Sequence, residues 1–498
     1  MQETPESIPE GETPHTVHLC VYEDLVDFVK PGDRVEVIGI YKAMGVRVDS
    51  MKRTLKNVYR TYIDVINFVK TDKKRFNVDL NQQAEHKDED RAMVDENNEE
   101  VQDVMLKEEH EHMFSDKHVE KFKEFSKDPE LYEKLVDAFA PSIWENQDVK
   151  KGILCQLFGG CSKEFSQSGR GRFRGEINIL LCGDPSTAKS QLLQYVHKIA
   201  PRGIYTSGKG SSAVGLTVYI TKDPETKELV LESGALVLSD RGICCIDEFD
   251  KMDDSTRVIL HEAMEQQTVS VAKAGIICTL NARTAVLAAA NPVNSKYDPK
   301  LSVVENIKLP PTLLSRFDLI YLILDRQNDA HDRRLANHIV SLYSKLQSED
   351  LLQTGSEDNP VQKTELLKTN GITREFFAQY ISYARRFCMP RIPDYVVNDL
   401  VQQYCNMRNM GNSRKTITAT PRQLESMIRI AEAIAKMRLS ETIEKRDIDE
   451  AVRLIKTAMQ QSATDPTTGE IDMDIIATGI STSTSDKIKQ LVTIIKKI

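Results

Sequence analysis

Residues 183–190 read Gly183-Asp184-Pro185-Ser186-Thr187-Ala188-Lys189-Ser190, between a continuous apolar run at 177–182 and a helical pattern over 190–199. This is the P-loop spacing G-x-x-x-x-G-K-[ST], with Ala188 standing where the second glycine belongs. The order strand, loop, helix sets a ring of backbone N–H groups at a helix N-terminus, which suits phosphate. Lys189 would reach the β- and γ-phosphates of ATP, and the Ser190 hydroxyl would ligate Mg²⁺. Alanine is small, so the loop can keep its shape. The run Ile243-Cys244-Cys245-Ile246 then ends in Asp247 and Glu248, with Asp247 lying 58 residues after Lys189. Paired carboxylates at the C-terminal edge of a buried strand sit where open parallel sheets bind ligands. Asp247 suits the Mg²⁺ shell, and Glu248 suits polarising an attacking water.

Three further polar positions follow in order. Asn291 ends the apolar run 284–290 and could orient water against a γ-phosphate or simply cap the strand. Arg316 lies in Leu314-Ser315-Arg316-Phe317-Asp318, just before another apolar run. Arg422 opens a helix in Thr420-Pro421-Arg422-Gln423-Leu424-Glu425. Each arginine could be an ordinary surface salt-bridge residue, as most arginines are, and its value comes from its position in the ordered series.

These residues need a scaffold. The apolar runs 177–182, 242–246, 284–290 and 319–324 read as buried strands, with helical patterns between them. Such alternation predicts an α/β fold with a parallel sheet covered by helices on both faces. Residues 113–165 read as a helical lead-in, and 326 to about 461 as helical, with Pro390, Pro393 and Pro421 marking helix starts. Near the N-terminus, residues 17–21 and 34–40 alternate with period two around the turn Pro31-Gly32-Asp33, and 58–69 continue in β-rich style. This predicts part of a small β-barrel, bare or nucleic-acid-binding. Lys42, Arg47, Lys52, Arg53 and Lys56, expected between its strands, favour nucleic acid.

The chain has 66 Lys+Arg against 75 Asp+Glu, a net of −9. Residues 85–112 alone hold 12 acidic and 3 basic side chains, so the remainder is near neutral. A basic coat for nucleic acid is excluded, whereas a local basic groove is not. Residues 76–116 are acidic and almost without aromatics, which predicts a flexible linker, or an acidic recognition tail. The nine cysteines include no CxxC pair, so disulfide frameworks and zinc ribbons are not expected. No apolar run reaches the roughly 18–20 residues of a membrane span, and the acidic, Pro-containing residues 1–14 are unlike a targeting peptide. A reduced, intracellular, soluble protein is expected.

Taken in order, the P-loop, the Asp-Glu strand, the Ala-Asn strand, Ser-Arg-Phe-Asp and the Pro-Arg helix resemble an AAA+ ATPase. The wording of 183–190, of Cys245-Ile246-Asp247-Glu248-Phe249-Asp250-Lys251-Met252, of 314–318 and of 206–212 resembles the minichromosome maintenance (MCM) replicative helicases. The resemblance covers about residues 16–70 and 120–460. It implies a P-loop ATPase core over 117–325, a helical lid over 326–460 and a partial OB-like β-barrel over 1–75. The acidic linker 76–116 and a tail 461–498 that begins a winged helix complete the expected organisation. It implies Gly183 to Ser190 as the phosphate cradle, Asp247 and Glu248 serving metal and water, and Asn291 as a sensor. Arg316 would be an arginine finger acting on a neighbour's ATP, and Arg422, with Glu425 beside it, a second sensor across the same interface. Trp144 and Arg170 would line the base and ribose. Residues 215–236 and 268–282 match two family inserts, and Lys273 would grip DNA phosphates, although by itself it reads as a solvated hairpin lysine. The implied activity is ATP-driven unwinding of duplex DNA by a hetero-hexamer of sibling subunits in the nucleus, together with fork and origin-loading proteins. The implied substrates are single-stranded and forked DNA, with no membrane partner. Two alternatives are an AAA+ remodeller of protein substrates and a regulatory ring member with slow turnover. The family's zinc ribbon and full winged helix are expected to be missing from this chain.

Overall fold

Ile179, Leu180, Leu181 and Cys182 are wholly excluded from solvent, which is why this stretch carries no alternation: both faces of its strand are covered. The computed structural model describes residues 15, 17–22, 25–26, 28–29, 35–47, 55–70 and 116–462, apart from 164–172, 201, 223–228, 274–275, 294–295, 299–300, 326–327, 353–372 and 409–418. The chain divides into two units, Met1–Ser115 and Asp116–Ile498.

In the first unit, β1 (His18–Cys20), β2 (Val35–Arg47) and β3 (Leu55–Lys70) form a sheet in the order β1-β3-β2. β2 runs antiparallel to β3 and β1 parallel to it. The strands outrun the predicted ones. Lys42 and Arg47 lie within β2 and Lys56 within β3, rather than in a connecting loop. Lys42 sits on an exposed strand face and ion-pairs with Asp64, so a polar side chain there interrupts the apolar pattern without ending the strand. Lys52, Arg53 and residues 71–115, the bulk of the expected acidic linker, lie outside the described residues.

The second unit is built on β4 (Ile179–Gly183), β5 (Gly203–Ser207), β8 (Ile243–Asp247), β11 (Ala285–Ala290) and β12 (Leu319–Ile323). They form one parallel sheet in the order β12-β4-β11-β8-β5. Each fully buried Leu or Ile in its central strands contributes roughly 1.5–3 kcal/mol of transfer energy. The strand β5 was not expected. It is an edge strand of mixed Gly-Ile-Tyr-Thr-Ser sequence, half-buried along most of its length, and so lacks the continuous apolar run that betrays its neighbours. Between these strands lie two antiparallel hairpins, β6 (Val218–Lys222) with β7 (Leu229–Ser233), and β9 (Thr268–Lys273) with β10 (Ile276–Asn281).

The helices that position the site are α1 (Gln147–Phe158), α2 (Lys189–Ile199), α3 (Asp254–Gln266), α4 (Arg374–Phe387), α5 (Pro421–Met437) and α6 (Lys445–Ser462). α5 packs on α1 and α6, and α6 packs on β12, where Gln461 Oε1 accepts from the Leu322 N–H at 3.1 Å. The helix Asp116–Ser126 joins α4 through aromatic contacts: the Phe122 ring lies 5.2 Å from Phe376 and 5.4 Å from Tyr383. No helix among the described residues is long and apolar enough to cross a membrane.

Candidate active site

β4 delivers the chain into the 183–190 loop between β11 and β12, the switch point of the sheet. Gly183 is required there. A Cβ at this position would stand 1.9 Å from the Ile323 carbonyl oxygen, and its φ is 154°. The loop then takes left-handed conformations at Ser186 (φ 68°) and Ala188 (φ 60°). Ala188 is the residue that replaces the expected glycine, and it pays about 1 kcal/mol of steric strain for doing so. The loop's shape is retained.

Lys189 opens α2 and is buried, and its Nζ donates to the carbonyls of Gly183 (2.9 Å) and Asp184 and to Thr187 Oγ1 (3.2 Å). Burial lowers its pKa, and the nearby Asp184, Asp247 and Asp250 oppose that shift. A cation held on loop carbonyls beside a helix N-terminus is the donor set that phosphate oxygens complete. Ser190 is exposed in the first turn. Asp184 has a bracing role: its carboxylate accepts from the Tyr297 N–H (2.8 Å) and the Asp325 N–H (3.3 Å).

β8 ends at Asp247, whose Oδ2 accepts from the Tyr205 hydroxyl at 2.9 Å and whose Oδ1 accepts from the Glu248 N–H at 2.8 Å. Burial, then the bond to Asp247, pushes the Tyr205 hydroxyl up to about 12, so it stays a donor. Glu248 (φ 50°) accepts from Ser207 Oγ at 3.5 Å. Asn291 follows β11 and donates its N–H to Asp250 Oδ1 at 3.2 Å. Asp250, buried and paired with Lys251 at 3.0 Å, is a third carboxylate of the site that the sequence did not single out. A hydroxyl and one carboxylate also fit Mg²⁺, which takes few protein ligands and completes its shell with phosphate and water. Among the described residues there is no cluster of three His, Cys, Asp or Glu that could hold a metal alone.

Arg316 and Arg422 are elsewhere. Asp318 and Asn178 directly precede β12 and β4, and the Asp318 N–H donates to the Asn178 carbonyl at 2.9 Å. Arg316 therefore lies by the N-terminal ends of strands whose C-terminal ends carry the P-loop. From Asn178 to Gly183 the strand rises about 16 Å. Glu265, in the last turn of α3, joins the two arginines: it ion-pairs with Arg316 and stands 3.6 Å from Arg422. Arg422 Nη1 also donates to the Ser315 carbonyl at 3.1 Å. Behind them Asp318, almost fully buried, accepts from Arg174 (3.3 Å), Arg429, Ser426 Oγ (2.6 Å) and the Asn178 N–H (2.9 Å). Glu425 bonds Arg429 at 2.6 Å, so its partner is this buried arginine. Among the described residues no hydrogen bond or ion pair links Arg316 or Arg422 to Lys189 or Asp247.

The Trp144 ring lies 4.9 Å from the His338 ring, and Trp144 Nε1 is buried without a partner among the described residues. Arg170 lies outside the described residues. Lys273 is the last residue of β9, paired with Ile276 across the hairpin.

The model of the MCM P-loop domain matches residues 118–343, that of the MCM AAA-lid domain 375–459, and that of the MCM OB domain 1–45. The chain is 54% identical over 497 residues to "DNA replication licensing factor MCM4" of Oryza sativa subsp. japonica, covering 99% of this chain and 53% of that protein. It is 54% identical over 480 residues to "DNA replication licensing factor mcm4" of Schizosaccharomyces pombe, covering 96% and 50%. It is 37% identical over 501 residues to "Minichromosome maintenance protein MCM" of Saccharolobus solfataricus, covering 100% and 64%. The chain spans about half the length of the eukaryotic relatives it matches. Residues 17–43 and 422–441, whose wording most resembles the eukaryotic fourth subunit, agree with those names. With a P-loop at the C-terminal ends of its strands, an arginine pair by the N-terminal ends, and matching OB, P-loop and lid segments, the chain belongs to the MCM family.

Proposed function

We propose that this chain is a subunit of a hexameric, ATP-dependent DNA helicase that unwinds duplex DNA at replication origins and forks. The observation that carries this is the separation of two sets of polar residues that suit one phosphoryl-transfer site. Lys189, Asp247 and Asn291 gather at the C-terminal ends of the strands, whereas Arg316 and Arg422 stand at the other end, about 16 Å along β4. No arginine side chain bridges that distance, so the charge that the arginines would stabilise belongs to nucleotide on an adjoining subunit. A ring of such subunits closes every site at an interface.

In this ring Lys189 and the 183–190 backbone bind the phosphates, and Ser190 with Asp247 holds Mg²⁺, which when bound offsets phosphate charge. Glu248 orients the attacking water by accepting its hydrogen bond, and Asn291 fixes that water from the neighbouring strand. Arg316 and Arg422 supply positive charge to the γ-phosphate across the interface. Trp144 and Arg170 serve the base and ribose of the nucleotide. The Lys273 hairpin contacts DNA phosphates, giving a grip that is independent of sequence and weakened by salt. The two eukaryotic relatives named for DNA replication licensing support a role in replication, and in this reading the chain works in the nucleus in a hetero-hexamer with sibling subunits, origin-loading proteins and fork proteins. Residues 1–75 serve as part of an OB-like barrel, 76–116 as a linker, 117–325 as the ATPase core, 326–460 as its lid and 461–498 as the approach to a winged helix.

The test is Mg-ATP turnover and unwinding of a forked duplex by this chain with sibling subunits. Lys189→Ala abolishes the turnover that this chain's nucleotide site contributes. Lys273→Ala keeps turnover and loses unwinding. Turnover undiminished by Lys189→Ala removes the P-loop assignment, and undiminished unwinding by Lys273→Ala removes the DNA contact.

A further inference from the structure

Glu265 has no part in the phosphate site as described above, yet among the described residues it is the one carboxylate that pairs with both Arg316 and Arg422. Its side chain is 52% exposed, that of Arg422 47%, and that of Arg316 only 16%. Two guanidiniums against one carboxylate leave a surplus positive charge, and Arg316 Nε is buried with no partner among the described residues. Glu265 also occupies the last turn of α3, where the negative end of the helix dipole disfavours an anion. It is held there by the arginines, principally by its bond to Arg316. The platform behind does not depend on it. Arg174 donates to the Met264 carbonyl at 2.8 Å and to the Arg316 carbonyl at 3.3 Å, fixing the backbone on both sides of the pair. Asp318 and Arg429 lock the same platform to α5.

We propose that Glu265 is a positioning residue, a stand-in anion that holds Arg316 and Arg422 together on an open face and yields them to the phosphates of a nucleotide on an adjoining subunit. This rests on the assignment of that face under Proposed function. Only the head groups change partners, because the backbone that carries them is anchored by buried bonds. The exchange swaps one exposed carboxylate for a more highly charged phosphate chain.

The test is calorimetric titration of inorganic tripolyphosphate into the whole chain carrying Lys189→Ala, which disables its own P-loop. Adding Glu265→Gln tightens binding about threefold to fivefold, the worth of a partly exposed ion pair. Glu265→Ala gives the same direction, and adding Arg316→Ala removes the gain. Unchanged or weaker binding in both Glu265 variants overturns the proposal. The two ideas fail separately. If Arg316→Ala abolishes turnover in the assembled ring while neither Glu265 variant alters tripolyphosphate binding, only the stand-in role falls. If Arg316→Ala leaves ring turnover intact, the assignment of the face falls with it.

Discussion

Replacing Asp318 with asparagine removes one charge and keeps the shape. The carboxylate is almost fully buried and meets two guanidiniums, a hydroxyl and a backbone N–H. The substitution leaves Arg429, itself only 7% exposed at its side chain, with its ion pair to Glu425 and the charge of Glu176, and Arg174, among the described residues, with hydrogen bonds to carbonyl oxygens. Breaking a buried pair from one side costs about 3–5 kcal/mol, mostly because a charge is stranded. Urea unfolding of the whole chain, compared between the parent and Asp318→Asn, measures it. The pH dependence fixes the cause. Burial alone would raise the Asp318 pKa, but Arg174 and Arg429 outweigh it and hold the carboxyl below the ordinary value. A lowered folded pKa contributes stability that is fully present above the unfolded value, about 3.9, and is lost as pH falls through the folded one. The deficit of Asp318→Asn is therefore flat between about pH 8 and 5 and shrinks only below about pH 4. A loss under about 1 kcal/mol, or a deficit that changes between pH 5 and 8, would refute this account of the network.

Two other outcomes follow from local geometry. Ala188→Gly relieves the left-handed alanine and raises stability by about 1 kcal/mol, read as a higher urea midpoint; no gain would show that the loop is not strained there. Tyr205→Phe removes the donor that orients Asp247, and the Mg²⁺ concentration giving half-maximal turnover rises several-fold, on the order of tenfold at most. An unchanged Mg²⁺ requirement would separate Tyr205 from the metal position.

What could be read from the sequence was whatever is local to one strand and its turn. β4, β8, β11 and β12 announce themselves as apolar runs because they are buried on both faces, and the polar residues at their ends form the candidate site. The edge strand β5 gave no such signal, since its Tyr205 and Thr206 are only half-buried. Glu265, Asp250, Arg174 and Arg429 were missed for another reason. Arg174 and Asp318 stand 144 positions apart, and Arg429 meets both only through the return of the lid. Nothing in the spacing of Glu265, one of many helix-surface carboxylates, marks it as the partner of two arginines. The basic residues of the first unit read as loop residues because an exposed strand lysine and a turn lysine look alike in sequence. Lys42 shows the difference only through its pairing in the sheet.

The central claim is that one chain carries the binding half of a nucleotide site and the finger of the next. It is tested most directly by Arg316→Ala in two settings. In the isolated chain, the affinity for a fluorescent ATP analogue should stay within about twofold of the parent, while Lys189→Ala abolishes binding. In the ring assembled with sibling subunits, turnover at the interface that Arg316 completes should fall about 10³-fold or more. Weakened nucleotide binding by Arg316→Ala in the isolated chain would place the arginine at its own P-loop and contradict the shared site.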